Sequence, residues 1–164
     1  MDDHGGSTSI KRTLPIVLVL VLFSNGWADF SGQAVGVLDG DTIEVLHGGK
    51  AERIRLNGID CPEKGQAYSK KAKHAASDLA FGKEVTVQTY GHDKYKRTIG
   101  DVILPDGMNL NQELVKQGWC WWYWKYAPGD TMVEGLEKEA REAKKGLWHD
   151  SLSAAPRERR RRKE

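Results

Sequence analysis

The chain has 164 residues, a length that suits one domain with tails, and 39% of them are hydrophobic, enough to build a core. Lys and Arg number 25 against 23 Asp and Glu, and the formal net charge of +2 excludes a uniformly basic nucleic-acid coat. The charge is unevenly placed: residues 157–164 hold six bases and two acids, a local +4, residues 1–28 balance, and residues 29–156 are left at −2.

Lys11 and Arg12 precede an apolar run from Leu14 to Phe23. That run is too short to cross a bilayer, which takes about 20 residues. A basic start, a short apolar stretch and small residues at Gly26 and Ala28 read as a secretory signal cut after Ala28. A secreted or periplasmic protein is expected, with no stable membrane association once the signal is removed. An uncleaved N-terminal membrane anchor is the alternative. The domain reading is therefore a signal over 1–28, a folded body over 29–150 and a basic, disordered tail over 151–164.

Within the body, Gln33 to Leu38 reads as a strand, Asp39-Gly40-Asp41 as a turn, and Thr42 to Leu46 as the hairpin partner. After His47-Gly48-Gly49, the stretch Glu52 to Asn57 alternates, with Ile54 and Leu56 on one face and Arg53 and Arg55 on the other. Ser69 to Phe81 spaces Ala72, Ala75, Ala76, Leu79 and Ala80 as a helix, stopped by Gly82. Glu84 to Tyr90 and Thr98 to Leu104 are two more strands, joined by the polar stretch Gly91 to Lys96. Asn109 to Gln117 is a short helix, and Trp119 to Tyr126 an aromatic extended segment. Asp130 or Thr131 caps a last helix reaching Lys145. Five short strands separated by Gly turns predict a small barrel of the oligonucleotide-binding (OB) type with three α-helices, an α+β fold that is mainly β.

Asp39, Asp41, Asp60 and Glu63 fall at turns or strand ends. Each by itself reads as a turn residue or a solvated charge, while together such carboxylates are what a hard cation needs as oxygen ligands. Arg53, Arg55 and Arg97 lie near these turns, and a guanidinium is a planar fork suited to phosphate. Spacing alone does not choose between Arg53 and Arg55. The two cysteines, Cys61 and Cys120, allow either a disulfide or two buried thiols. The tryptophans of Trp119 to Trp124 suit a core and its rim, or the stacking of bases, and alternation puts Cys120, Trp122, Trp124 and Tyr126 on one face.

Several ordered motifs resemble the staphylococcal nuclease (thermonuclease) family: Asp39-Gly40-Asp41-Thr42, then Arg55-Leu56-Asn57-Gly58-Ile59-Asp60-Cys61-Pro62-Glu63, then Asp93-Lys94-Tyr95-Lys96-Arg97. Leu114 to Gly118 and the helix with Glu139-Ala140-Arg141 extend the resemblance, which spans about Ala34 to Trp148. It implies an OB barrel and a calcium-dependent nuclease acting on DNA and RNA as a monomer. It implies Asp41 and Asp60 as calcium ligands, joined by the main-chain carbonyl of Cys61. It implies Glu63 as the general base and Arg55 and Arg97 as the phosphate-binding pair. Lys94, Tyr95, Trp124 and Tyr126 would lie beside the nucleotide. The family fold also brings Cys120 near the strand of Asp60, so a Cys61–Cys120 disulfide is expected. Two other readings stand beside the nuclease: a non-catalytic OB module that binds nucleic acid, and an exported barrel whose basic tail binds an acidic surface.

Overall fold

A computed structural model describes residues 28–149. The stretch expected to be a signal and the basic stretch expected to be a tail lie outside the described residues. The elements in chain order are β1 (Phe30–Val37), β2 (Thr42–His47), β3 (Lys50–Leu56), β4 (Ile59–Asp60), α1 (Ser69–Ala80), β5 (Glu84–His92), β6 (Thr98–Ile103), α2 (Leu110–Lys116), β7 (Trp121–Trp122) and α3 (Thr131–Glu142), with a short 3-10 turn at Gly146–Trp148.

Alternation of side chains along the strands builds the barrel. Ala34, Ile43, Val45, Ile54, Leu56, Val85, Val87 and Val102 are all within 1% of full burial, while Arg53, Thr86 and Gln88 between them face solvent. Antiparallel pairing joins β1 to β2, β2 to β3, β5 to β6 and β1 to β5. A parallel pairing of β3 with β6, Ile54 opposite Thr98 and Leu56 opposite Gly100, closes the circle in the order β1-β2-β3-β6-β5. The expected five-stranded OB-type barrel with three helices is the fold observed.

The helices plug the barrel with small side chains. Ala72, Ala76 and Ala80 repeat every four residues along α1 and are fully buried against the core. Asn109 caps α2 by accepting from the N–H groups of Asn111 and Gln112, and Asp130 caps α3 by accepting from Val133. The last helix stops at Glu142, short of Lys145. The chain there turns back through Lys144, at φ 51°, and Lys145 N–H still donates to Ala140.

Two elements differ from the sequence expectation. A second sheet of two residues per strand pairs Ile59 with Trp122 and Asp60 with Trp121. The segment Trp119 to Tyr126 is extended only at Trp121–Trp122. Beyond it β4 offers no further partner, Tyr123 N–H donates to Gly58 O, and Tyr126 N–H donates back to Tyr123 O, so the chain closes into a turn. Trp124 and Tyr126 therefore do not continue a common strand face with Cys120 and Trp122. The cysteines are joined as a Cys61–Cys120 disulfide, which settles the alternative of two thiols. A bridge closing a loop of this length stabilises by about 4 kcal/mol in the chain-entropy model. It belongs in a non-reducing compartment. No helix among the described residues is long and apolar enough to cross a membrane.

Buried Asn111 fastens the seam where β3 leaves β6. Its Nδ2 donates to Asn57 O at 3.0 Å, Gly100 O at 3.2 Å and Asp101 Oδ1 at 3.0 Å, and its Oδ1 accepts from Val102 N–H at 3.2 Å. Asn111→Ala strands these partners in a dry environment. The expected loss is about 3 kcal/mol, read as a lower urea midpoint with an unchanged slope.

Candidate active site

The site begins at the end of β3. After Arg55 and Leu56 the chain reverses at Asn57-Gly58, and Gly58 takes φ 69°, a left-handed conformation that glycine adopts without a Cβ penalty. The reversal folds β4 back under the Arg55 side chain. Arg55 Nη1 donates to the carbonyls of Leu56 at 2.8 Å and Ile59 at 2.9 Å. Its Nη2 lies 3.2 Å from Asp60 Oδ1 and 3.3 Å from Asp41 Oδ2. The side chains of Arg55, Asp41 and Asp60 are 16%, 11% and 20% exposed, so these pairs are worth more than surface ion pairs.

Asp41 sits just before β2. Its main-chain N–H donates to Asp39 Oδ1, which shapes the turn. Its own carboxylate accepts from the Thr42 hydroxyl at 3.1 Å and from Cys61 N–H at 2.9 Å. Burial raises the Asp41 carboxyl from its usual value to about 7, and the charges of Asp39 and Asp60 push the same way against Arg55. One guanidinium thus compensates three nearby carboxylates only in part.

Arg97 reaches the same place from the β5–β6 loop. Asp93 Oδ1 accepts from the N–H groups of Tyr95 and Arg97, and Lys96 at φ 62° makes the loop tight. Asp93 Oδ2 accepts from Arg97 Nε at 2.8 Å and pairs with Nη2 at 2.7 Å. Burial opposes ionisation of Asp93, but the hydrogen bonds from Arg97 and Tyr95 outweigh it and hold the carboxyl below its usual value. Arg97 Nη1 then donates to the Thr42 hydroxyl at 3.2 Å, the same hydroxyl that donates to Asp41.

The structure therefore unites Asp41, Asp60, Cys61, Arg55 and Arg97. Arg53, which the pattern could not separate from Arg55, pairs with Glu44 on the exposed face instead. Glu63 is exposed on the loop after β4, two residues past Cys61, where its N–H donates to Gln66 Oε1 and its carbonyl accepts from Gln66 N–H. Lys94 and Tyr95 are exposed at the loop tip, with Lys94 Nζ 4.9 Å and Arg97 Cζ 5.6 Å from the Tyr95 ring centre. Trp124 and Tyr126, 49% and 66% exposed, stand on the turn after β7. The sequence reading assigned no part to Thr42 or Asp93 as the ties between arginines and carboxylates. Both lie inside the quoted motifs, and that was the available signal.

Among the described residues no group of three or more His, Cys, Asp or Glu side chains is arranged as a metal centre. Asp41 and Asp60 are two carboxylates, and main-chain carbonyls would have to complete a shell. An all-oxygen set with an under-compensated buried carboxyl fits a hard cation such as calcium.

Residues 53–150 match the family profile described as staphylococcal nuclease homologue. An uncharacterized endonuclease of Escherichia coli O157:H7 is 43% identical over 147 residues, covering 90% of this chain and 95% of that protein. A micrococcal nuclease of Shigella flexneri is 39% identical over 154 residues, 88% of each chain. Protein ParB of Escherichia coli is 36% identical over 159 residues, 92% of this chain and 90% of that one.

The raised Asp41 carboxyl has a sign that can be checked. Between its unfolded value of 3.8 and about 7, the folded state holds a proton that the unfolded chain has released. Metal-free stability should therefore fall as the pH rises through that window, and level off above it. Asp41→Asn should flatten this slope and stabilise the metal-free protein at pH 8, as measured by urea unfolding at pH 5 and pH 8.

Proposed function

The chain belongs to the staphylococcal nuclease family, and from that premise we propose that it is a nuclease that hydrolyses phosphodiester bonds of DNA and RNA with the help of calcium. The observation that carries this reading is that Arg55 pairs with both Asp41 and Asp60 while Arg97 is joined to Asp41 through the Thr42 hydroxyl, two guanidinium forks beside a pair of carboxylates.

The chemistry follows from what each group has left to offer. Nη1 of Arg55 is anchored on main-chain carbonyls, so the guanidinium keeps its place whatever binds beside Asp41 and Asp60. Its Nη2 end is paired with Asp60 and Asp41, and a cation bound to those carboxylates would release it toward a phosphate. Asp93 holds the Nε edge of Arg97, which leaves the Nη1 end directed at the site. The two arginines would grip the phosphate and stabilise charge that grows on its oxygens in the transition state. Asp41, Asp60 and the Cys61 carbonyl would hold calcium, which supplies positive charge against the phosphate. Glu63 would accept the proton of the attacking water as the new P–O bond forms and the leaving oxygen departs. Lys94 and Tyr95 on one side, and Trp124 and Tyr126 on the other, would hold the sugar and base by charge and stacking, which tolerates any sequence.

Export completes the reading. The N-terminal signal and the buried disulfide suit a secreted or periplasmic enzyme. The basic stretch from Arg157 to Lys163 would add salt-sensitive affinity for the polyanion.

Plasmid and RNA incubated with the protein should be degraded when calcium is present and survive when a chelator is added. Binding without cleavage at any calcium level would favour the non-catalytic module. Glu63→Gln should keep the melting temperature and lower turnover by roughly 10²–10⁴-fold, the usual weight of a general base. A folded Glu63→Gln protein with near-normal turnover would remove Glu63 from that role.

A further inference from the structure

The disulfide is packed beneath the turn that presents Asp41. Cys61 N–H donates to Asp41 Oδ2 at 2.9 Å. A Cβ on Gly40, the residue before Asp41, would stand 2.8 Å from Cys61 Cβ, 3.1 Å from Cys61 Sγ and 2.9 Å from Ala72 Cβ. Cys120 Sγ approaches the Gly40 carbonyl oxygen at 3.9 Å, a packing contact, since a bridged sulfur carries no proton. The bridge begins one residue past Asp60. The strand that carries Asp60 lies outside the barrel and pairs with only two residues of β7. A ladder of that length is marginal by itself. Ile59 in the core, Arg55 on Asp60 and the Cys61 N–H on Asp41 also hold this stretch, and the bridge adds a covalent tie to them.

We propose that Cys61 and Cys120 are a positioning pair for the nuclease site: by clamping β4 to β7 beneath Gly40, their disulfide sets Asp41 and Asp60 relative to each other, and the cation site reaches its full affinity only in the oxidised chain. This rests on the reading of Asp41 and Asp60 as calcium ligands. Cys61 is 2% exposed and Cys120 0%, so the bridge is set as the chain folds and is then shielded from reductants in solution. Its formation moves two electrons and two protons from the cysteine thiols to an oxidant, a disulfide-bearing oxidoreductase whose own disulfide becomes a dithiol. In a compartment that keeps thiols reduced, the chain folds with a slack site and the nuclease is held off.

The full chain is refolded once with dithiothreitol and once under oxidising conditions, and thiols are counted after denaturation. Calcium affinity is measured on both forms by titration calorimetry, and the fold by circular dichroism. The reduced form should keep the barrel's spectrum and bind calcium about 10- to 100-fold more weakly, the usual cost of losing an outer support of a metal site. Its cleavage should fall in step and recover as calcium is raised. Equal calcium affinity in two folded forms overturns the proposal and leaves the nuclease reading intact. An oxidised chain that neither binds calcium nor cleaves overturns that reading, and the proposal with it. If the reduced chain does not fold, Gly40→Ala in the oxidised chain carries the test. With its bridge intact and a cooperative melt, it should show the same loss of calcium affinity, and unchanged affinity overturns the proposal.

Discussion

The guanidinium of Arg55 touches four groups from three stretches of chain, and the site depends on that reach. Two of its contacts are carbonyls that the Asn57-Gly58 reversal turns inward, and two are carboxylates from the start of β2 and from β4. Without the cation, Asp41 and Asp60 would face each other with only N–H and O–H donors between them and the hydrophobic core. With it, the carboxylates can be held close in a half-buried place, at a cost in stability that a bound cation would relieve. That electrostatic frustration is what supports the proposal of a cation site here.

Arg55 is placed by the barrel, and the barrel by rules simple enough to read from residues. Ile54 and Leu56 must face inward, so Arg53 and Arg55 must face outward. Register with β2 then sets Arg55 opposite Thr42, one residue from Asp41. The slightly acidic body, at −2 before any cation binds, acquires a local meaning, because its surplus of carboxylates includes those drawn together beside the two arginines.

The strands β1, β2, β3, β5 and β6 and the three helices were legible because each carries a period, a cap or a Gly turn. The parallel closure of β3 on β6 was not, since alternation says which face is buried and not which strand is the neighbour. The β4–β7 pair was invisible in pattern, because two residues cannot display a period. Its presence entered through the family resemblance, as did the disulfide that ties its ends. The alternation of Trp122, Trp124 and Tyr126 misled for a related reason: a run of aromatics reads as extended, but Gly58 O captures Tyr123 N–H and the chain turns. Arg55 and Arg53 were equivalent in spacing; the family resemblance chose Arg55, and the Asn57-Gly58 turn gives the physical reason. The roles of Thr42 and Asp93 needed coordinates, because each acts across more than 40 residues or through a loop whose shape is made by its own hydrogen bonds.

The central claim is that Asp41, Asp60 and the Cys61 main chain form one cation site beneath Arg55. A calcium titration of the isotopically labelled, oxidised protein, followed residue by residue in amide nuclear magnetic resonance spectra, tests it most directly. The account predicts that the largest saturable shifts fall on Asp41, Asp60 and Cys61 and extend to Thr42 and Arg55. Shifts that spare these residues, or that gather on the other carboxylates of the surface, would contradict it.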